Sequence, residues 1–242
     1  MPEKSYWYDD LDIVNYLNEL NNIVNDSAQP VLLNAKIFWN DKSKMKKLVR
    51  ACSIIHFRAK TVGTRKPNEM VTKMAEIAEN IRGDPEGYSV SESIKKISEL
   101  DTDEPNFVSN FKNYAYSGKL ASYVLKKIES YRNGEYTVTE VTDKANLEHI
   151  LPQSLNDDWK KDFDEDLQKK YVSKIGNMTL LHTKLNRIAQ NYSFETKLEE
   201  YKKQPGIKIT EELLGMSTWT KKEIDDRTEK FAEDAKQIWR LD

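Results

Sequence analysis

The 242-residue chain has a single cysteine, Cys52, so no disulfide can form within it and a cross-linked scaffold is excluded. It has no apolar run long enough to cross a bilayer and no signal-peptide pattern at its N-terminus. These absences point to a reducing cytoplasm and to no membrane partner. A charge excess of either sign is also missing, since 38 Lys+Arg stand against 40 Asp+Glu for a net charge of −2. A phosphate-rich partner would then be held only by basic residues clustered on one face, or by a further domain. No repeat or low-complexity tract is present. What remains is 32% charged and 10% aromatic residues, which describes a soluble, well-folded, helix-rich protein of one domain or two closely packed ones.

Apolar spacing predicts helices over residues 9–26, 41–60 and 67–81, the last ending at the breaker Arg82-Gly83-Asp84-Pro85. A short helix is expected over 91–100, and a helical pair over 106–117 and 119–131 around Gly118. His56 belongs to the apolar stripe of its helix, with Met45, Leu48, Val49, Cys52 and Ile55. From Tyr136 the pattern changes to alternation, with Tyr136, Val138 and Val141, and reads as the approach to a strand that delivers Glu148 and His149. Residues 154–174 place Trp159, Phe163, Leu167 and Tyr171 at helical spacing and are expected to be a helical excursion. Met178–Leu181 reads as a second strand, followed by helices over 183–189, 194–204 and 221–241.

Two segments carry chemistry. Glu148-His149-Ile150-Leu151-Pro152-Gln153 sets a carboxylate beside an imidazole and then breaks the strand at proline. Ile175-Gly176-Asn177-Met178-Thr179-Leu180-Leu181-His182-Thr183-Lys184-Leu185-Asn186-Arg187 places two asparagines nine positions apart, one before a short strand and one inside a helix. An adjacent acid and histidine suit a site that holds one metal ion and deprotonates one water. A neutral histidine serves as that base because its ordinary pKa, near ~6.5, lies close to working pH.

Together the segments resemble the ββα-metal, or HNH, nuclease motif, and more closely the C-terminal domain of GmrSD-type modification-dependent restriction endonucleases, whose family includes SspE-like phage-defence proteins. The resemblance rests on Glu148, His149, Pro152, Gln153, Trp159, Gly176, Asn177, Thr179, Leu180, Leu181, Asn186, Asn191, Phe194 and Lys197, in that order. It covers about residues 140–201, with weaker echoes on both sides. It implies a mainly α fold with an embedded ββα-metal unit: a helical region over 1–135, a nuclease core over 136–204, and a C-terminal helix over 205–242 packing back on that core.

The resemblance also implies a metal-dependent DNA endonuclease or nickase of a bacterial anti-phage restriction system, cutting to 5′-phosphate and 3′-hydroxyl ends. His149 would be the base that activates water, and Asn177 would tie the loop together and orient it. One Mg²⁺ or Mn²⁺ ion would take Glu148 as a ligand, with Asn186 as the second; His182 is the alternative to Asn186, or a phosphate contact. Lys184 and Arg187, beside Asn186, are candidate phosphate contacts, with a solvated helix face as the plain competitor. The partner would be double-stranded DNA, modified phage DNA being one candidate form, and RNA shares the same chemistry. The relatives place a ParB-like nucleotide-binding module ahead of this region, so the chain is expected to be the C-terminal part of a larger protein. The competing reading is a non-catalytic helical DNA- or protein-interaction domain that keeps the HNH scaffold.

Overall fold

The computed structural model describes residues 10–23, 26–134, 144–189, 191–203 and 206–241, apart from the side chains of 187–189. The architecture is mainly α, with one antiparallel pair of strands among the described residues. Met1–Asn110 with Trp239–Asp242 makes one compact unit, and Phe111–Ile238 makes the other. The change of pattern in the sequence falls later, at Tyr136, because the helix before it is also helical but packs with the strands.

In the first unit, α1 (Leu11–Asn22) starts where the Asp10 carboxylate accepts from the N–H groups of Asp12 and Ile13. Next, α2 (Gln29–Asn34) runs on as a π-helical turn over Ala35–Trp39. Spacing predicts no helix here, because the apolar residues do not make one stripe, and Leu33, Ile37 and Phe38 stay exposed. The stripe of α3 (Lys42–Ile55) is buried as its spacing requires. It continues as a π-helical turn over His56–Thr61, then come α4 (Pro67–Gly83) and α5 (Val90–Ser98). A capping box between Ser89 and Glu92 sets the start of α5.

His56 sits in this core, fully buried. Its Nδ1–H donates to the Cys52 carbonyl at 2.7 Å, and its Nε2 accepts from the Ser27 hydroxyl at 2.9 Å. Both bonds suit a neutral ring, and burial pushes its pKa down to about 4. Arg58 is buried beside it, donating to Asp101 at 2.7 Å and to the carbonyls of Thr102 and Trp239. Burial pushes the Cys52 thiol up to about 12, so it behaves as an inert core side chain.

The division between the units falls inside α6 (Glu104–Asn113). The second unit continues with α7 (Gly118–Arg132), β1 (Ala145–His149), α8 (Glu165–Tyr171), β2 (Met178–His182), α9 (Thr183–Ala189), α10 (Phe194–Tyr201), α11 (Lys208–Glu211) and α12 (Lys221–Ile238). The expected strand approach through Tyr136, Val138 and Val141 lies outside the described residues. The stretch 154–174 is not one helix: a single turn at Trp159–Lys161 is followed by a fresh start at Asp164, whose carboxylate accepts from Leu167 N. Its four apolar residues still point inward, and Trp159, Phe163 and Tyr171 join Ile150, Leu151, Leu181, Tyr201 and Trp219 in one core cluster.

Two features lock α12 to the turn before β2. A Cβ added at Gly176 would lie 2.3 Å from the Ile224 carbonyl oxygen, so only glycine lets that turn approach the helix so closely. Arg227, buried on α12, donates to the carbonyls of Gly176 at 2.9 Å and Met178 at 2.6 Å, to Ile209 at 2.7 Å, and to Glu212 at 2.7 Å. A guanidinium carries five donors in a fixed fork, and here they tie together a turn, a strand and a loop.

Candidate functional site

The strands set the register of the site. Residue by residue, β1 pairs antiparallel with β2, Ala145 with His182, Glu148 with Thr179 and His149 with Met178. The chain leaves β1 through Ile150, Leu151 and Pro152, all buried, which fixes the exit and holds Glu148 and His149 at the open end of the ladder. Ile150 N donates to the Asn177 backbone carbonyl at 2.9 Å, extending the pairing one step.

Asn177 is fully buried behind this exit. Its Oδ1 accepts from Leu151 N at 2.7 Å and from Trp219 Nε1 at 3.1 Å, and its Nδ2 donates to the carbonyls of Leu151 at 3.0 Å and Val172 at 3.2 Å. All four capacities of the amide are therefore used. The side chain faces the loop that carries the site, not the open surface.

Glu148 is buried and held from α10. The Lys197 ammonium, itself fully buried, donates to Glu148 Oε1 at 2.7 Å and to the His149 backbone carbonyl at 2.6 Å. The Tyr201 hydroxyl donates to the same Oε1 at 3.2 Å. Burial raises the Glu148 carboxyl above its ordinary range, and Lys197 pulls it back. Burial likewise lowers the Lys197 ammonium, and Glu148 opposes that. Removing either partner leaves an uncompensated buried charge, a loss of about 3–5 kcal/mol.

His149 has no side-chain hydrogen bond among the described residues. Burial lowers its pKa, and the nearby Lys197 charge lowers it further. The imidazole is thus kept neutral with a free lone pair at neutral pH. Asn186 reaches back from α9 and donates through Nδ2 to the Leu147 carbonyl at 2.8 Å. That bond orients the amide, and its Oδ1 has no partner among the described residues.

These groups meet at an open cleft of about 370 Å³ lined by Leu147, Glu148, His149, Pro152, Gln153, Ser154, Asn186 and Asn191. His182 is not among the lining residues: it lies opposite Ala145, three positions along β2 from the partner of Glu148, roughly 10 Å at strand rise. Lys184 is exposed on α9, outside the lining, and the Arg187 side chain lies outside the described residues. His56 belongs to the core of the other unit.

No group of three or more His, Cys, Asp or Glu side chains able to hold a metal occurs among the described residues. The cleft instead offers one carboxylate, on Glu148, and the neutral side-chain oxygens of Gln153, Ser154, Asn186 and Asn191, all hard donors. That set fits a Mg²⁺-like ion, which keeps most of its waters, and does not fit a zinc cage of sulfur and nitrogen. Lys197 enters the sequence pattern without an assigned role, and nothing in the two chemical segments points to Tyr201. The available signal was spacing: Phe194, Lys197 and Tyr201 fall on one buried face of α10, and a lysine inside an apolar stripe requires a buried partner.

With this geometry in place, a comparison with family models decides the relationship. The model described as GmrSD restriction endonucleases, C-terminal domain, matches residues 101–234, more than half of the chain. The chain belongs to the GmrSD restriction endonuclease family. No curated protein sequence matches it. The GmrSD C-terminal domain match contains every residue that lines the cleft, and also Asn177, Lys197 and Tyr201. It further includes Gly176 and Arg227, the two residues that lock α12 to the turn before β2. The protein is therefore restriction-endonuclease-related. Among the described residues no helix is long and apolar enough to cross a membrane.

Proposed function

We propose that this domain hydrolyses phosphodiester bonds of double-stranded DNA by HNH-type chemistry at the cleft of Glu148, His149 and Asn186. The observation that carries the reading is the meeting of a neutral, unbonded imidazole with two hard oxygen donors at one open strand end. His149 takes a proton from the attacking water onto its free ring nitrogen, and burial together with the Lys197 charge holds that nitrogen unprotonated until then. Glu148 and the Asn186 amide oxygen would hold Mg²⁺ or Mn²⁺, which when bound supplies charge stabilisation at the phosphate and the leaving oxygen. Asn177 acts from behind, holding Leu151 and so the strand exit on which His149 sits. Lys184 and Arg187 would contact phosphates as α9 meets the backbone.

The family supports a wider setting that we infer with it: bacterial defence against phage, with chemically modified DNA as one candidate substrate, and recognition supplied by a ParB-like module elsewhere in a longer protein. A near-neutral domain that depends on another module for grip is consistent with that arrangement. A second reading has one observation in its favour. The Lys197 ammonium already neutralises Glu148, as it would in a scaffold that had kept the fold without the reaction.

Supercoiled plasmid incubated with the chain in Mg²⁺, Mn²⁺ or EDTA separates the two. Nicking that needs the metal and leaves ends sealed by DNA ligase supports the endonuclease. Plasmid binding without nicking in either metal supports the scaffold.

A further inference from the structure

Lys197 bears on the proposed hydrolytic step only through the charge it sets beside His149, and Tyr201 not at all, yet both are fully buried and both donate to one atom, Glu148 Oε1. No side chain among the described residues is bonded to Oε2. We propose that this pair determines which ion the site accepts, by making Glu148 a one-oxygen donor. The inference rests on the assignment of Glu148 as a metal ligand.

The chemistry is a matter of ligand count and rigidity. Ca²⁺ takes about six to eight oxygens and commonly uses both oxygens of a carboxylate, whereas Mg²⁺ takes six in strict octahedral array and keeps several waters. With Lys197 and Tyr201 both donating to Oε1, the two lone pairs of that oxygen are taken, and the carboxylate cannot chelate through both atoms. It can offer Oε2 alone, which serves Mg²⁺ as well as an unbound carboxylate would and serves Ca²⁺ worse. Position is fixed too. Lys197 also holds the His149 carbonyl at 2.6 Å, so Glu148 cannot turn to present both oxygens without breaking the strand exit. Every other side-chain donor in the cleft, on Asn186, Asn191, Gln153 and Ser154, is a single neutral oxygen, so Glu148 is the one ligand there that could chelate through two atoms. With Glu148 held to one oxygen, Ca²⁺ loses its chelating ligand while Mg²⁺ keeps its waters. The neighbouring ammonium weakens every divalent ion and does not itself discriminate.

The test is direct binding without turnover. The 242-residue chain is titrated with MgCl₂ or CaCl₂ while the Asn186 side-chain amide and the His149 ring are followed by NMR. The wild-type site is expected to bind Mg²⁺ at least as tightly as Ca²⁺. In Lys197→Met the preference moves toward Ca²⁺ by about tenfold, since both Glu148 oxygens become available. Tyr201→Phe, which removes one hydrogen bond and keeps the ion pair, moves it in the same direction by a smaller factor and decides the matter if Lys197→Met does not fold. An Mg²⁺/Ca²⁺ ratio unchanged in the variants, or a wild-type site that prefers Ca²⁺, overturns the inference alone. A wild-type chain that binds neither ion overturns the metal assignment and the inference together.

Discussion

The side-chain amide of Asn177 embraces the backbone of Leu151 in both directions, Oδ1 taking its N–H at 2.7 Å and Nδ2 giving to its carbonyl at 3.0 Å. Two distant segments are joined by one residue, and Trp219 is drawn into the same bond set. Asn177→Ala therefore costs stability before it costs chemistry. Buried donors and acceptors left without partners cost about 1–3 kcal/mol each, so a total loss of roughly 3–5 kcal/mol is expected after local relaxation. Urea denaturation measures it. Asn177→Ala with wild-type stability and lost activity would show that the amide acts on substrate instead of on the loop.

Asn186→Ala removes the unbonded amide oxygen and the bond to the Leu147 carbonyl. The stability change is small, about 1 kcal/mol, because the residue is only half-buried. Nicking is expected to fall about tenfold or more at low metal and to recover in part with added Mn²⁺, as for the loss of one weak ligand. Plasmid nicking across a range of Mn²⁺ concentrations decides it, and an equal loss at every concentration contradicts a ligand role.

His56 gives the fold a pH dependence of its own. Its pKa is pushed down to about 4 in the fold, against about 6.5 for an unperturbed histidine. Between these values the unfolded chain binds a proton that the folded chain refuses, so stability rises with pH. This contribution, about 3 kcal/mol, is fully present above pH ~6.5 and is lost as pH falls toward 4. Denaturation at pH 7.5 and pH 5 should show a loss in the wild type that is diminished in His56→Gln. Equal pH sensitivity in the two proteins would place the proton elsewhere.

The residues that line the candidate cleft were legible in part because they lie in two short segments. The Glu148-His149 pair precedes a buried Ile-Leu-Pro exit, and Met178–Leu181 is a short, mostly apolar run of strand length. The embedded strand pair in a helical protein followed from those two segments, and the structure bears that fold class out. Long-range partners were less legible. Nothing in the spacing of Glu148 and Lys197, 49 positions apart, says that they meet. His182 stayed open as a ligand in the sequence because nearness along the chain cannot show strand register, and the register carries it to the far end of the ladder from Glu148. The exposed apolar residues of α2 and the break at Asp164 were invisible for a related reason: spacing reports burial patterns, and one helix lacks a clean stripe while the other has a stripe interrupted by a cap.

The most direct test of the central claim is plasmid nicking by His149→Ala beside the wild type in Mg²⁺, with circular dichroism to establish that both are folded. His149 makes no side-chain hydrogen bond among the described residues, so its loss should leave the helical spectrum and melting temperature nearly unchanged. The expected result is metal-dependent nicking by the wild type and a fall of at least about a hundredfold in the variant, the scale of a lost general base. A folded His149→Ala that nicks at the wild-type rate would contradict the assignment of this cleft as the catalytic centre.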